Sequence, residues 1–231
     1  MKRLKNILFS ISIFCLVINM SGCGKENNKI NSDSELVAVK EKMIDDLNNF
    51  SYHADITIKT KYMDVSTIMD CKEDRKNQTG YCTTSNIGVK QEIYNDYKNG
   101  IEYSMIYSPY SNDSSNGVWK KSKKEKSTTN SWLNLSDYIF NLTEEEKDGG
   151  IYYTGTIDSK KLSQAISEVK SDVNASKSIS EDIDITVFVN ASGYIEKISF
   201  DMEIMGMEEV VEITYSDFNS TESITIPANI K

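Results

Sequence analysis

Several things are scarce in this chain, and each scarcity closes off a class of function. One histidine, His53, stands among 231 residues, so no histidine pair exists to hold a metal ion or pass a proton. No apolar run approaches the roughly 20 residues that a bilayer-spanning helix needs. Cations fall short of anions, 26 Lys and Arg against 35 Asp and Glu, for a net charge of −9. That balance speaks against nucleic acid as a partner, and against adhesion to anionic lipid through the folded surface. There is no phosphate-cradling glycine loop, no zinc-helix motif and no strand-to-helix serine elbow. His53 sits on the wet side of an alternating run, with no cysteine or second histidine close by in sequence, and reads as a solvated strand residue. Nothing here assembles a nucleophile with an acid and a base.

What is present begins with an address. Lys2, Arg3 and Lys5 precede Ile7 to Ile18, about 12 residues that are almost wholly apolar. That length suits the core of a secretory signal and is too short for a membrane span. Met20-Ser21-Gly22-Cys23 follows. This quartet resembles the lipobox of bacterial lipoproteins, with Met20 where Leu is usual. The resemblance implies lipid on the Cys23 sulfur, cleavage before Cys23, and a mature chain held on the extracytoplasmic face of the cell membrane. Residues 1–22 are then the cleaved leader, and 23–34 a polar tether beginning at the lipidated cysteine. Losing Lys2, Arg3 and Lys5 takes the net charge to about −12. Two or three acyl chains make release from a bilayer negligible, where one alone is marginal.

Cys71 and Cys82 are the other two cysteines of the mature chain. A turn-rich stretch, Lys72 to Gly80, separates them between two strand-like runs, which predicts a disulfide across a hairpin. A redox-active pair lacks Cys-x-x-Cys spacing, and a metal site lacks histidines.

Residues 35–231 read as one domain. Leu36, Val39, Met43, Leu47 and Phe50 recur at helical spacing. Then Tyr52, Ala54, Ile56, Ile58, Thr60 and Tyr62 alternate with polar residues, as in a strand with one buried face. Strands are expected over 65–72, 80–86, 90–97 and 101–108, with a turn at Asn99-Gly100 and a lysine-bearing edge strand over 118–124. A short helix is expected from Trp132 to Leu142, an acidic loop from Glu144 to Gly150, and a strand from Ile151 to Ile157. Asp158 is expected to cap a helix running through Val169. Three further strands centre on Val187, Phe200 and Ile213, and Ile224 and Ile226 suggest a last edge segment. The fold class is α+β: a curved antiparallel sheet with two or three amphipathic helices on its concave face.

This order of elements resembles the LolA/LppX-like superfamily of half-barrel lipoprotein carriers. The resemblance rests on Tyr152 to Ile157 leading into a helix, on Val187 to Ile198, and on Glu212 to Phe218 followed by Ile224 to Pro227. It implies a non-enzymatic protein without a cofactor that holds a lipid or other hydrophobic ligand between sheet and helices. Candidate lining residues are Ile56, Ile58, Met69, Met105, Trp132, Ile198, Phe200 and Met202, since methionine suits variable acyl chains. The same residues also serve as plain core. The alternative is therefore a surface module with a dry core that binds another envelope protein.

Overall fold

The computed structural model describes residues 34–59, 63–123, 138–160, 181–204 and 207–230. The leader, residues 23–33 of the tether with Cys23, Trp132, Thr60, Tyr62 and most of the expected Asp158 helix lie outside them.

Among the described residues one helix, α1 (Ser34–Asp46), where two or three were expected, precedes eleven strands. These are β1 (Asn49–Lys59), β2 (Asp64–Asp74), β3 (Thr79–Asn86), β4 (Val89–Asp96), β5 (Ile101–Tyr107), β6 (Lys120–Lys123), β7 (Ile139–Lys147), β8 (Gly150–Ile157), β9 (Ile183–Val189), β10 (Ile195–Ile204) and β11 (Met207–Ser216). All eleven lie in one curved, unclosed antiparallel sheet, ordered β6-β5-β4-β3-β2-β1-β11-β10-β9-β8-β7. It is two meanders, β1 to β6 and β7 to β11, joined edge to edge where β1 pairs with β11. Turns 75–78, 97–100, 148–149 and 190–193 mark one rim, called lower here. Turn 87–88 and loop 108–119 mark the upper rim.

The helix buries Leu36, Met43 and Leu47 on the inner face of the sheet. Its last turn closes with Leu47 N–H donating to the Met43 carbonyl, so Phe50 is buried as a β1 residue and not as a helical one. Arg75 donates to the Ile44 carbonyl and Asn48 N–H to Asn219 Oδ1 at 2.7 Å, pinning that end of α1 to the lower rim. The Arg75 bond satisfies a carbonyl that the helix C-terminus leaves open.

Three expectations fail. Ile139 to Leu142 belongs to β7, not to a helix, and Glu144 to Lys147 continue that strand where an acidic loop was expected. The cause is a tight hairpin: Asp148 and Gly149 have φ of 53° and 78°, the paired left-handed residues of a type I′ turn. The three glutamates tolerate the strand because it is an edge, open to water on its free side. Third, Ile224 and Ile226 form no strand; the tail crosses the lower rim, with Thr79 Oγ1 donating to the Ile224 carbonyl at 3.4 Å and Ile226 buried. At Asp158 the cap is as expected, its Oδ1 accepting from Lys160 N–H at 3.0 Å.

Candidate functional site

Side chains of neighbouring strands line up in rows across a sheet, so register assigns each candidate to a face. One inner-face row runs Tyr153, Val187, Ile198, Ile213, Ala54, Met69. The next runs Ile185, Phe200, Val211, Ile56, with Ile58 and Met202 above it. The structure thus brings Ile56, Ile58, Met69, Ile198, Phe200 and Met202 to one face, each 8% exposed or less. Five of these, all but Ile58, belong to one packed cluster with Leu36 and Met43 of α1.

Met105 is elsewhere. Its row is Glu92, Thr83, Asp70, His53 and Thr214, so it lies on the outer face, half-buried, and does not meet Met69. Strand β5 carries large apolar residues on both faces, and apolar content alone does not assign one. Ile101, two turns of alternation away, shares that outer face.

The inner rows change character at β3. Beyond Met69 the first row continues Thr84, Gln91, Ile106. Beyond Ile56 the second continues Thr67, Asn86, Val89. Strands β3 to β6 form a wing whose inner lining is mixed and mostly half-buried, while β6 is wholly exposed. The wing is steadied from outside by stacked rings: Tyr81 on Tyr94 at 4.6 Å, Tyr94 against Trp119 at 5.7 Å, and the buried Tyr103 beside them in register. Burial lifts the pKa of the Tyr81 hydroxyl to about 12.

The Cys71–Cys82 disulfide bridges directly opposed residues of β2 and β3, with Cα atoms 4.1 Å apart. It sits on the inner face where the packed rows meet the wing.

A polar group near that junction escaped the sequence reading. Glu73 continues the buried alternation Val65, Thr67, Met69, Cys71 of β2. Its residue surface is half-buried, yet its carboxyl lies in apolar surroundings that push its pKa to about 7; Tyr97, donating a hydrogen bond at 2.9 Å, and nearby Arg75 oppose the rise. Burial also holds the hydroxyls of Tyr97 and Tyr215 well above the usual range, and Tyr215 Oη has no hydrogen-bond partner. Extending the β2 alternation two residues would have placed an acid inside.

His53 is where expected, on the outer face. Its Nδ1 lies 2.6 Å from Asp70 Oδ1 and its Nε2 3.2 Å from Asp55 Oδ2; the Asp70 hydrogen bond is the main cause of its raised pKa. A cleft of about 290 Å³ opens at the upper rim of β9 to β11, lined by Met202 with Asp182, Asp201, Glu203 and Glu208 among others. Its carboxylates suit water better than an acyl chain. Among the described residues no group of three metal-ligating side chains comes together.

No family model and no curated protein matches the chain. Among solved structures it is similar to the Mycobacterium tuberculosis lipoprotein LppX, at 16% identity and a TM-score of 0.37, over 84% of this chain and 100% of that one. It is also similar to a LolA superfamily protein from Nitrosomonas europaea, at 13% identity and a TM-score of 0.31, over 85% and 96% of the two chains. Likenesses of this size say nothing of ligand, partner or activity.

Proposed function

We propose that this chain is a lipoprotein, anchored through Cys23 on the extracytoplasmic face of the cell membrane, acting as a non-enzymatic binding scaffold. It engages an envelope protein through the inner lining of the β3 to β6 wing, over a dry core. One observation carries the choice of surface: the inner rows are apolar and packed from β8 to β2, then turn to Thr84, Gln91, Asn86 and Ser104 in the wing. The described inner residues of that half are buried, and a half-open mixed surface is what a non-obligate interface resembles.

Two measurements test the two parts. Replacing Cys23 with serine moves the protein from the membrane fraction to the medium; continued sedimentation with membranes removes the anchor. Photoreactive side chains at Thr84 and Gln91 capture a partner in intact cells, while one at Thr214 on the outer face does not. Equal capture from both faces defeats the wing reading.

A second reading, a hydrophobic ligand held inside, is favoured by Tyr215 Oη, a buried hydroxyl without a partner beside Glu73 and Tyr97. Stoichiometric lipid recovered from the purified chain, and lost in Tyr215→Phe, selects this reading over the dry core.

A further inference from the structure

The acid of this chain is unevenly spread. Glu144, Glu145 and Glu146 line the free edge at β7, and the acidic cleft opens above β9 to β11. The opposite edge is basic: all four residues of β6 are exposed, three of them Lys120, Lys121 and Lys123. The sequence runs on to Lys124 and Lys126 with a single glutamate between.

Lys120 pairs with Ser104 and Lys123 with Ile101, so the lysines run down this edge toward the lower rim; above them the upper rim of the wing holds most of the large apolar side chains left in water among the described residues. Ile87 is 50% exposed, Ile106 53%, Tyr107 49%, Tyr110 76% and Val118 50%. They gather around one loop: Gly88 packs against Pro109 and Tyr110, Gly117 against Tyr107, and Ile106 and Val118 line one hollow. Such a patch on an otherwise polar protein marks a contact surface.

The loop that displays Tyr110 is built, not slack. Asn116 brackets it, Oδ1 accepting from Ser108 N–H at 2.7 Å and Nδ2 donating to the Ser108 and Ser111 carbonyls at 2.8 and 3.1 Å. Asp113 Oδ1 accepts from Ser115 N–H at 2.7 Å. Ordering the loop has already been paid in folding, so Tyr110 is presented without further entropy loss. Under it lies a hollow of about 190 Å³ whose lining includes Ser104, Ser108, Ser111, Ser115 and Lys120, with Asp113 the one acid. Hydroxyls and an ammonium are groups that a phosphodiester headgroup hydrogen-bonds.

Helix α1 has its C-terminal end at the lower rim and Glu35 near Tyr153, half-way up the sheet, so its N-terminus points to the upper rim. The wing's patch lies on that same rim.

We propose that the wing docks on an anionic lipid surface along its β6 edge and the adjoining upper-rim loop, Tyr107, Tyr110 and Val118 entering the headgroup layer at one end while Lys120, Lys121 and Lys123, spaced down the edge, face lipid phosphate. Tyrosine favours that layer because its ring is apolar and its hydroxyl wet, and lysine is drawn by the negative surface potential. The acidic cleft and β7 edge are repelled, which tilts the molecule onto its wing. The net acid of the chain therefore does not forbid lipid contact. It orients it.

The test uses the full lipidated protein reconstituted in vesicles of phosphatidylcholine alone or mixed in equal parts with phosphatidylglycerol. Tyr110→Cys carries a polarity-sensitive dye, and Glu145→Cys on the far edge is the control. The dye at position 110 shifts to the blue and is quenched by brominated acyl chains in the mixed vesicles only; the dye at 145 is unmoved. Neutralisation in Lys120→Gln, Lys121→Gln and Lys123→Gln lowers the docked-to-free ratio about fivefold per lysine, and so does added salt to a smaller degree. Tyr110→Ser, on an exposed side chain, weakens docking with the fold intact by circular dichroism. Equal signals in both vesicle types, equal signals at both edges, or a dye at 110 that responds only to an added envelope protein overturns the proposal. If the protein fails to stay with vesicles through Cys23, co-sedimentation of the unanchored chain with the mixed vesicles still reads the docking surface alone.

Discussion

Two regions of this sheet share one geometry and differ in what they enclose. From β8 through β11 into β1 and β2, inner-face residues such as Val187, Ile198, Ile213 and Ala54 pack beneath α1 and leave almost no surface to water. From β3 to β6 the same face mixes Thr84, Gln91, Asn86 and Ser104 with half-buried or exposed Val89, Ile93 and Ile106, no residue of β6 is buried, and the ring packing lies on the outer face around Tyr103. Hydrogen-bonded ladders run through both, unbroken in register from β2 to β6 and shifted at Ile195/Lys197 between β9 and β10. The difference shows that pairing alone makes a sheet, while burial decides which part of it is a rigid base and which part is left to meet something else.

The sharpest way to break the comparison is truncation in both halves. Ile213 is fully buried, and Ile213→Ala costs about 3–4 kcal/mol through lost burial and a cavity. Ile93, half-buried in the wing, costs about 1 kcal/mol in Ile93→Ala because less area leaves water and the site relaxes. Urea unfolding with the disulfide intact measures both. Equal costs would mean the wing is as closely packed as the base.

Next in size is the cystine at the junction. Replacing Cys71 and Cys82 together by serine costs about 2–3 kcal/mol in the chain-entropy account of a loop this short. The comparison predicts where the loss falls: amide exchange speeds up in β3 to β5 before it does in β10 and β11. Uniform acceleration would show that the bridge braces the whole sheet.

Much of this division is legible in the sequence. The alternation from Tyr52 to Ile58 and from Ile198 to Met202 assigns the packed face, because a period of two with one apolar side has one solution. The disulfide is legible too, from two cysteines flanking a turn. The outer placement of Met105 is not, since β5 has Tyr103 on one face and Ile106 on the other, and only a chain of registers through β4, β3 and β2 tells them apart. The β7–β8 hairpin was within reach: Asp148-Gly149 is a strong two-residue turn signal, but three preceding glutamates look like a loop unless the strand is known to be an edge. Glu73 was hidden by its type, as acids are rarely sought on an inner face. Cys23, Trp132 and the Asp158 helix beyond Lys160 lie outside the described residues.

Glu73 turns the junction into a pH-dependent element. Its pKa rises from 4.5 to about 7 on folding, chiefly by burial, so the folded state holds the proton more tightly. Below about 4.5 the group is protonated in both states and its contribution is complete; it is lost as pH rises through about 7. Glu73→Gln keeps the bond from Tyr97 and removes the titration. It leaves stability near pH 4 almost unchanged and raises it by about 1–3 kcal/mol at pH 8. Matched thermal melts across that range check the sign. A variant as pH-dependent as the parent would place the titration elsewhere.

The smallest effect lies at the wing's upper rim. Asn116 makes three hydrogen bonds that close loop 108–119, all within the loop and its flanking strand, so none of them holds the packed base. Asn116→Ala should therefore cost only about 1 kcal/mol of global stability, as one partly exposed group loses its bonds to backbone that water then solvates. Exchange of the amides of Ser108 and Ser115 should rise far more than that figure implies, while those of Ile198 and Ile213 stay as they were. If the melting point falls as far as it does for Ile213→Ala, the wing and the base unfold as one unit, and the contrast between them is one of packing without independence.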